Sequence, residues 1–208
     1  MAKTYVPERQ SEYWTSRQIE DFFENCGIDV HTIPIPQKIE KKLPADFVFV
    51  PEQKIKLFGL QYKALYRDSA DDYWKLDNDQ HTTIQTLTWI YYGFSELKSR
   101  KNKRNSLHLL KIYVPIHFSF PSSGKFKQAS PPVKTYYRWG GFFKMLEDCK
   151  CGLKINSLDD LKNALSDTYH DIASDISLFI HNFDTDVTIS VNRLLRQDEQ
   201  NQDDEYIE

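Results

Sequence analysis

The pattern of apolar and polar residues predicts a helix near the start of the chain. In the segment TSRQIEDFFENCG, Ile19, Phe22 and Phe23 recur at helical spacing. A Thr-Ser pair opens the segment and Gly27 follows it, and these are the residue types that start and stop helices. We therefore expect a helix over residues 15–26.

Three β-rich runs follow this helix. The run IDVHTIPIP contains Pro34 and Pro36, and because proline cannot donate a ladder hydrogen bond, we expect this strand near a sheet edge. LPADFVFV and IKLFGLQYKALY flank a four-residue turn at 51–54. They predict a hairpin of strands over about 45–50 and 55–66.

The pattern further along the chain predicts more helices and one more strand. HTTIQTLTWIYYGFSEL is interpreted as a buried helix that ends near Gly93, and SLHLLKIYVPIHFSF as a strand over 107–118. WGGFFKMLEDCKCG and DTYHDIASDISLFIHN favour helices, whereas VTISVNRLL fits a strand or a helix. The predicted fold class is therefore α/β, a mixed central β-sheet flanked by helices, with a mainly helical C-terminal part.

Length and composition favour one globular domain. The chain has 208 residues, of which 40% are hydrophobic and 14% aromatic, and this excludes collagen-like and wholly disordered proteins. We expect a single domain over 1–195, made of a core motif at 15–118 and a helical extension at 136–195. Residues 196–208 hold six acids and one arginine, and they predict a disordered acidic tail.

The sequence also bears on location. No apolar run approaches the 18 or so residues of a transmembrane helix, so no membrane association is expected. The opening MAKTYVPERQ lacks the apolar region of a secretory signal. The three cysteines form no CxxC pair. We therefore expect a cytoplasmic protein without a disulfide framework.

The net charge of −3 hides an uneven distribution. Because the acidic tail is so negative, the rest of the chain is slightly positive. The segment KSRKNKR packs five cations into seven positions, and we interpret it as a basic loop. A loop of this kind can track phosphates, although a solvated charge run fits equally well. The candidate nucleic-acid-binding residues are Lys98, Arg100, Lys101, Lys103 and Arg104.

The most informative pattern is Pro-Ala-Asp46 followed fifteen residues later by Gln61-Tyr-Lys63. Side chains two apart in a strand point to the same side, so Gln61 and Lys63 share a face. A hairpin that turns at 51–54 pairs position 46 with about position 60, which places Asp46 beside them. Carboxylate and amide oxygens suit Mg²⁺, and a lysine there polarises water or stabilises charge on a phosphate.

This arrangement resembles the PD-(D/E)xK nuclease superfamily over residues 15–118. The D…QxK form is similar to modification-dependent restriction endonucleases and phage-defence effector nucleases. The resemblance implies that Asp46 and Gln61 bind Mg²⁺ or Mn²⁺ and that Lys63 is the catalytic lysine. It also implies a further metal-binding acid on the first helix, for which Glu20 is the best match and Glu24 the alternative.

The resemblance implies a metal-dependent endonuclease that hydrolyses DNA as an effector in a prokaryotic anti-phage defence or restriction assembly. A partner subunit or a homodimer is expected with it. An alternative function is a non-catalytic nuclease-fold module that binds nucleic acid or a partner protein. A simpler interpretation also remains, in which Gln61 and Lys63 are the solvent face of a strand and Asp46 is an ordinary strand-edge acid.

Overall fold

The structure is a computed structural model. It describes residues 3–35, 37, 43–51, 56–69, 71–154, 160, 179–182 and 187–190. The chain forms two compact units, residues 1–154 and residues 155–208. The first unit contains the motif residues.

The described part of the first unit contains strands, α-helices and two 3₁₀-helices. They are β1 (Lys3–Thr4), α1 (Glu8–Asn25), β2 (Val30–Pro34), β3 (Phe47–Pro51), β4 (Phe58–Lys63), β5 (Leu65–Arg67), β6 (Tyr73–Lys75), α2 (Asn78–Thr86), β7 (Ile90–Ser95), a 3₁₀-helix (Arg100–Asn105), β8 (Leu110–Tyr113), a second 3₁₀-helix (Pro115–His117), β9 (Lys125–Lys127) and α3 (Trp139–Glu147).

Five strands form a mixed sheet in the order β2-β3-β4-β7-β8. Strands β4 and β7 run parallel, and the other neighbours are antiparallel. The strand with Pro34 lies at one edge, as predicted. Strands β1, β5, β6 and β9 form a second, antiparallel sheet. Ala64 is the only residue between β4 and β5, so the chain leaves one sheet and enters the other there. The α/β fold class with a mixed sheet and flanking helices is confirmed.

Helix α1 packs its apolar side onto the larger sheet. Ile19 and Phe23 are fully buried in a cluster that includes Phe58 and Leu60 of β4. The helix begins at Glu8, seven residues before the predicted start, directly after Pro7. The Thr-Ser pair taken as a start signal instead lies buried within the helix.

The helix predicted over HTTIQTLTWIYYGFSEL is wrong in its second half. Asp77 caps the short α2 by accepting the Gln80 N–H at 2.9 Å, and the chain then forms β7. Every residue of β7 is buried, so the run shows no polar alternation and resembles a buried helix segment. Gly93, expected to end a helix, instead lets the Tyr62 ring approach to 3.0 Å from the position of a β-carbon.

Two neighbouring predictions also change. The basic loop is a 3₁₀-helix, and the strand over 107–118 is limited to β8 because the chain turns into a second 3₁₀-helix at Pro115. Proline fixes φ and has no N–H for the ladder, which stops the strand there.

The mainly helical C-terminal part is only partly found. Helix α3 is present, but Phe179–Asn182 form a strand, β10, where a helix was predicted. Strand β10 pairs antiparallel with β11 (Val187–Ser190), which settles the first part of VTISVNRLL as a strand. Apolar runs of this length fit either structure until a partner strand is known. The predicted acidic tail lies outside the described residues. In the part of the chain that is described, no helix combines the length and apolar character needed to cross a bilayer.

Candidate active site

Asp46 lies immediately before β3 and bonds directly to β4. Its N–H donates to the Leu60 carbonyl at 2.9 Å, which is the pairing that the predicted hairpin requires. Its Oδ2 accepts hydrogen bonds from Gln61 Nε2 at 2.8 Å and from the Tyr62 N–H at 2.6 Å. The Asp46 carboxylate therefore acts as the hydrogen-bond acceptor for the Tyr62 N–H, a role that a backbone carbonyl would have in a regular ladder. It also binds the side-chain amide of Gln61.

Gln61 and Lys63 are buried although both are polar. Gln61 is 1% exposed and Lys63 is 9% exposed, so the interpretation of these residues as a solvent face is wrong. They stand beside Tyr92 and Phe94 of the parallel strand β7. Polar groups at such depth are costly unless they are paired or used for binding.

Both buried side chains have unused capacity for binding. Gln61 Oε1 has no hydrogen-bond partner among the described residues. Within the same part of the chain, no carboxylate lies within ion-pairing distance of the Lys63 ammonium. The ammonium is nevertheless close enough to lower the pKa of Asp46 by its charge. The arrangement leaves an oxygen acceptor and a cation available at the end of β4.

The acids of α1 that reach this site are Glu12 and Glu8. Both raise the pKa of Asp46 by their charge, and Glu8 Oε2 accepts the Ala64 N–H at 2.9 Å. Glu20, the predicted acid, instead pairs with Arg17 at 3.2 Å, and Glu24 is exposed. The charge of Glu20 acts on Tyr62, the neighbour of Gln61, and its role as a metal ligand stays a prediction.

The late predicted start of α1 left Glu8 and Glu12 out of the predicted helix. Residues four or seven apart share a helix face, and Glu8, Glu12, Thr15 and Ile19 follow this spacing. Continuing the apolar period upstream from Ile19 would therefore have placed both acids on the face that meets the sheet. Because the helix was predicted to start at residue 15, only acids after that point were candidates, such as Glu20, which lies two turns beyond Glu12.

The pKa of Asp46 lies well above its ordinary value. Burial is the main cause, and the negative charge of Glu12 adds to it. Lys63 and the Tyr62 N–H act in the opposite direction but do not outweigh these effects, and Glu8 raises the pKa further. Among the described residues, Glu8 and Glu12 thus add negative charge at Asp46 while Lys63 adds positive charge, and negative charge around a carboxylate favours a bound cation.

The residues fit a hard divalent cation by the chemistry of their donors. Rotation of the Gln61 amide by 180° would put its unpartnered oxygen about where Nε2 now lies, 2.8 Å from Asp46 Oδ2. Two neighbouring ligands of an octahedral Mg²⁺, each about 2.1 Å from the ion, are about 3 Å apart. Among the described residues, no cluster of three or more His, Cys, Asp or Glu side chains has metal-binding geometry. The candidate ligands Asp46 and Gln61 do not form such a cluster, because one of the two donors is an amide.

The predicted nucleic-acid-binding residues separate into two groups. Lys98 forms an ion pair with Asp72 at 2.7 Å and lies over the Tyr5 ring, so it is engaged within the fold. The other four cations are exposed on the first 3₁₀-helix. That helix is attached to α1, because Gln18 Nε2 donates to the Lys103 carbonyl at 2.6 Å.

Comparison with known proteins finds no match. No protein family, no curated protein and no solved structure is significantly similar to this chain.

Proposed function

We propose that this chain is a divalent-metal-dependent nuclease that hydrolyses phosphodiester bonds of DNA. One observation carries the proposal: a buried lysine ends the same strand that holds Gln61 against Asp46, and two acids of α1, Glu8 and Glu12, are close enough to raise the pKa of Asp46 by their charge. A fold gains little from burying an ammonium beside an unpartnered amide oxygen. A site that binds a cation and an anionic substrate uses both groups.

Each residue has a defined part in the proposed reaction. Asp46 and Gln61 hold the cation through their oxygens, and Glu12 adds negative charge that attracts it. Lys63 places its ammonium where negative charge develops on the phosphoryl oxygens, and the low dielectric of a buried site strengthens that interaction. A bound divalent cation supplies Lewis-acid polarisation and a more acidic water molecule. Tyr62, through its N–H, keeps Asp46 in place.

The place of the protein in a prokaryotic anti-phage defence or restriction assembly is part of the same proposal. It rests on the D…QxK pattern, which resembles effector nucleases of such systems. A partner subunit or a second copy of the chain would supply the recognition of target DNA. Light scattering of the purified protein, alone and with a co-expressed candidate partner protein, measures whether it forms a homodimer or a complex and so tests this part.

One observation favours the alternative of a non-catalytic nuclease-fold module. Asp46 already accepts two hydrogen bonds from within the chain, so its carboxylate has partners without a cation. Such a module would bind nucleic acid or a partner without cleaving it.

Cleavage assays separate the two functions. Supercoiled plasmid, linear duplex DNA and RNA are incubated with the protein in Mg²⁺, Mn²⁺ or EDTA. We expect metal-dependent cleavage of DNA by the wild type and a loss of at least a hundredfold in Lys63→Met. Lys111→Met is the matched control, because Lys111 is also a largely buried lysine of the same sheet but pairs with Glu96. Equal activity of the Lys63 and Lys111 variants would exclude the proposed role of Lys63, and DNA binding without cleavage would support the module.

A further inference from the structure

The first 3₁₀-helix concentrates positive charge that the described part of the chain does not neutralise. Arg100, Lys101, Lys103 and Arg104 are all exposed, and none forms an ion pair with a described acid. In a 3₁₀-helix residues three apart are aligned. The helix therefore stacks Arg100 over Lys103 and Lys101 over Arg104.

This stacking opposes folding of the segment. Two like charges about 6 Å apart repel each other in water, and an extended loop would relieve that repulsion. Runs of 3₁₀-helix longer than about four residues are also uncommon, and this one has six. The conformation therefore needs stabilisation from outside the cations themselves.

That stabilisation comes from polar side chains at both ends of the 3₁₀-helix. Ser99 accepts the Lys101 N–H at 3.2 Å at the start. At the other end the Lys103 carbonyl accepts hydrogen bonds from Gln18 Nε2 and from Ser106 Oγ, both at 2.6 Å. Gln18 Oε1 also accepts the Leu107 N–H at 2.9 Å. A single glutamine of α1 thus fixes a carbonyl of the 3₁₀-helix and the N–H of Leu107, two residues beyond its end.

We propose that Gln18 holds the 3₁₀-helix Arg100–Asn105 as a preformed platform that binds the sugar–phosphate backbone of a nucleic acid. This inference rests on the proposed function and extends it to substrate positioning. Cations that are already ordered lose less conformational entropy on binding. Helix α1 carries both Gln18 and Glu12, six residues apart, or about 9 Å along the axis. The platform is therefore anchored to the same helix as the candidate active site.

The first experiment measures DNA binding in EDTA, where no cleavage takes place. The anisotropy of a fluorescent 30-base-pair duplex is titrated at several salt concentrations. Each lost phosphate contact lowers the slope of log K against log salt by about 0.9. We expect the triple variant Lys101→Gln, Lys103→Gln, Arg104→Gln to lower the slope by about 2 to 3 and low-salt affinity at least tenfold.

The control for this variant removes the same charge elsewhere. Lys75, Lys127 and Lys134 are exposed and lie outside the platform, so their joint replacement by glutamine should change the slope by less than about 1. Equal slopes for the two triple variants would overturn the proposal, because net charge alone would then explain binding. Binding of the wild type to vesicles of anionic lipid but not to DNA would also overturn it.

The second experiment tests Gln18 as a positioning residue. Gln18→Ala keeps every cation but removes the hydrogen bonds from α1 to the Lys103 carbonyl and to the Leu107 N–H. We expect the affinity for the duplex to fall about three- to tenfold and the salt slope by about 1, since the loosened segment makes fewer simultaneous contacts. An unchanged slope with lower thermal stability would show that Gln18 is only structural. The outcome does not depend on catalysis: binding through the platform without any cleavage would refute the nuclease and leave the platform standing.

Discussion

Replacement of Asp46 by asparagine should make the protein more stable at neutral pH and inactive. In the folded protein, burial and the charge of Glu12 hold the pKa of Asp46 well above its ordinary value. The folded state therefore binds the carboxyl proton more tightly than the unfolded state. As a result, wild-type stability falls as the pH rises from the unfolded pKa, about 3.9, through the raised folded value, by about 1.4 kcal/mol per pH unit.

Asparagine has the same shape as aspartate and does not titrate, so the variant does not lose stability as the pH rises through the pKa of Asp46. Its amide oxygen still accepts the Tyr62 N–H that Asp46 accepts now. We expect the free energy of unfolding of Asp46→Asn to equal that of the wild type near pH 4. Above neutral pH we expect it to be about 1–3 kcal/mol higher. Urea unfolding followed by tryptophan fluorescence from pH 4 to 8.5 in EDTA measures this difference.

Asp72→Asn is the control, because the same chemical change should have the opposite effect there. Burial tends to raise the pKa of Asp72, but hydrogen bonds from Lys98 and Tyr5 outweigh it and lower the pKa. The stabilisation from Asp72 is therefore present above the ordinary carboxyl pKa and is lost as the pH falls through the lowered value. We expect Asp72→Asn to cost about 1–2 kcal/mol at neutral pH and less in acid.

Two results would refute the reasoning about Asp46. One is a variant that is less stable than the wild type at pH 8. The other is a difference between the two proteins that does not change with pH. Added Mg²⁺ provides an independent check. It should stabilise the wild type by about 1.4 kcal/mol at ten times its dissociation constant, and it should not stabilise Asp46→Asn.

Three further predictions concern the surroundings of the site. Gly93→Ala should cost about 1–3 kcal/mol in urea unfolding, since the new methyl group would lie 3.0 Å from the buried Tyr62 ring; an unchanged midpoint would contradict this packing. Glu96→Gln should cost about 1–3 kcal/mol at neutral pH, because it leaves the largely buried Lys111 without its 2.8 Å ion pair; a double-mutant cycle with Lys111→Met that gives no coupling would show otherwise. Glu12→Gln should make stability depend less steeply on pH between 4 and 8, since one cause of the raised pKa of the site carboxyl is removed; an identical pH profile would mean that its charge does not reach the site.

The pairing of Asp46 with Gln61 was predictable because it depends on local rules. Turn position, strand alternation and hairpin register fix which residues of neighbouring strands meet. The burial of Lys63 followed from its apolar neighbours in the strand. The metal, the reaction and the substrate remain predictions.

The missed features depend on packing that a single sequence does not record. Strand β7 is buried on both faces between β4 and β8, so its polarity pattern carries no period. The start of α1 was missed because the buried residues of its first turns, Ser11 and Thr15, are polar, so the apolar residues of that face begin only at Ile19. The 3₁₀-helix Arg100–Asn105 is bonded to Gln18, more than eighty residues away in the sequence.

The one-residue link at Ala64 has a consequence for how this protein can evolve. Lys63 is the last residue of one sheet, Leu65 is the first of the other, and the N–H between them is held by Glu8. An inserted or deleted residue at this point would shift either Lys63 or the whole smaller sheet by one position. No loop lies between β4 and β5 to accommodate the change. We therefore expect relatives of this protein to vary freely in loop length elsewhere and to keep the spacing from Gln61 to Leu65 fixed. At this junction the number of residues is under stronger constraint than their identity.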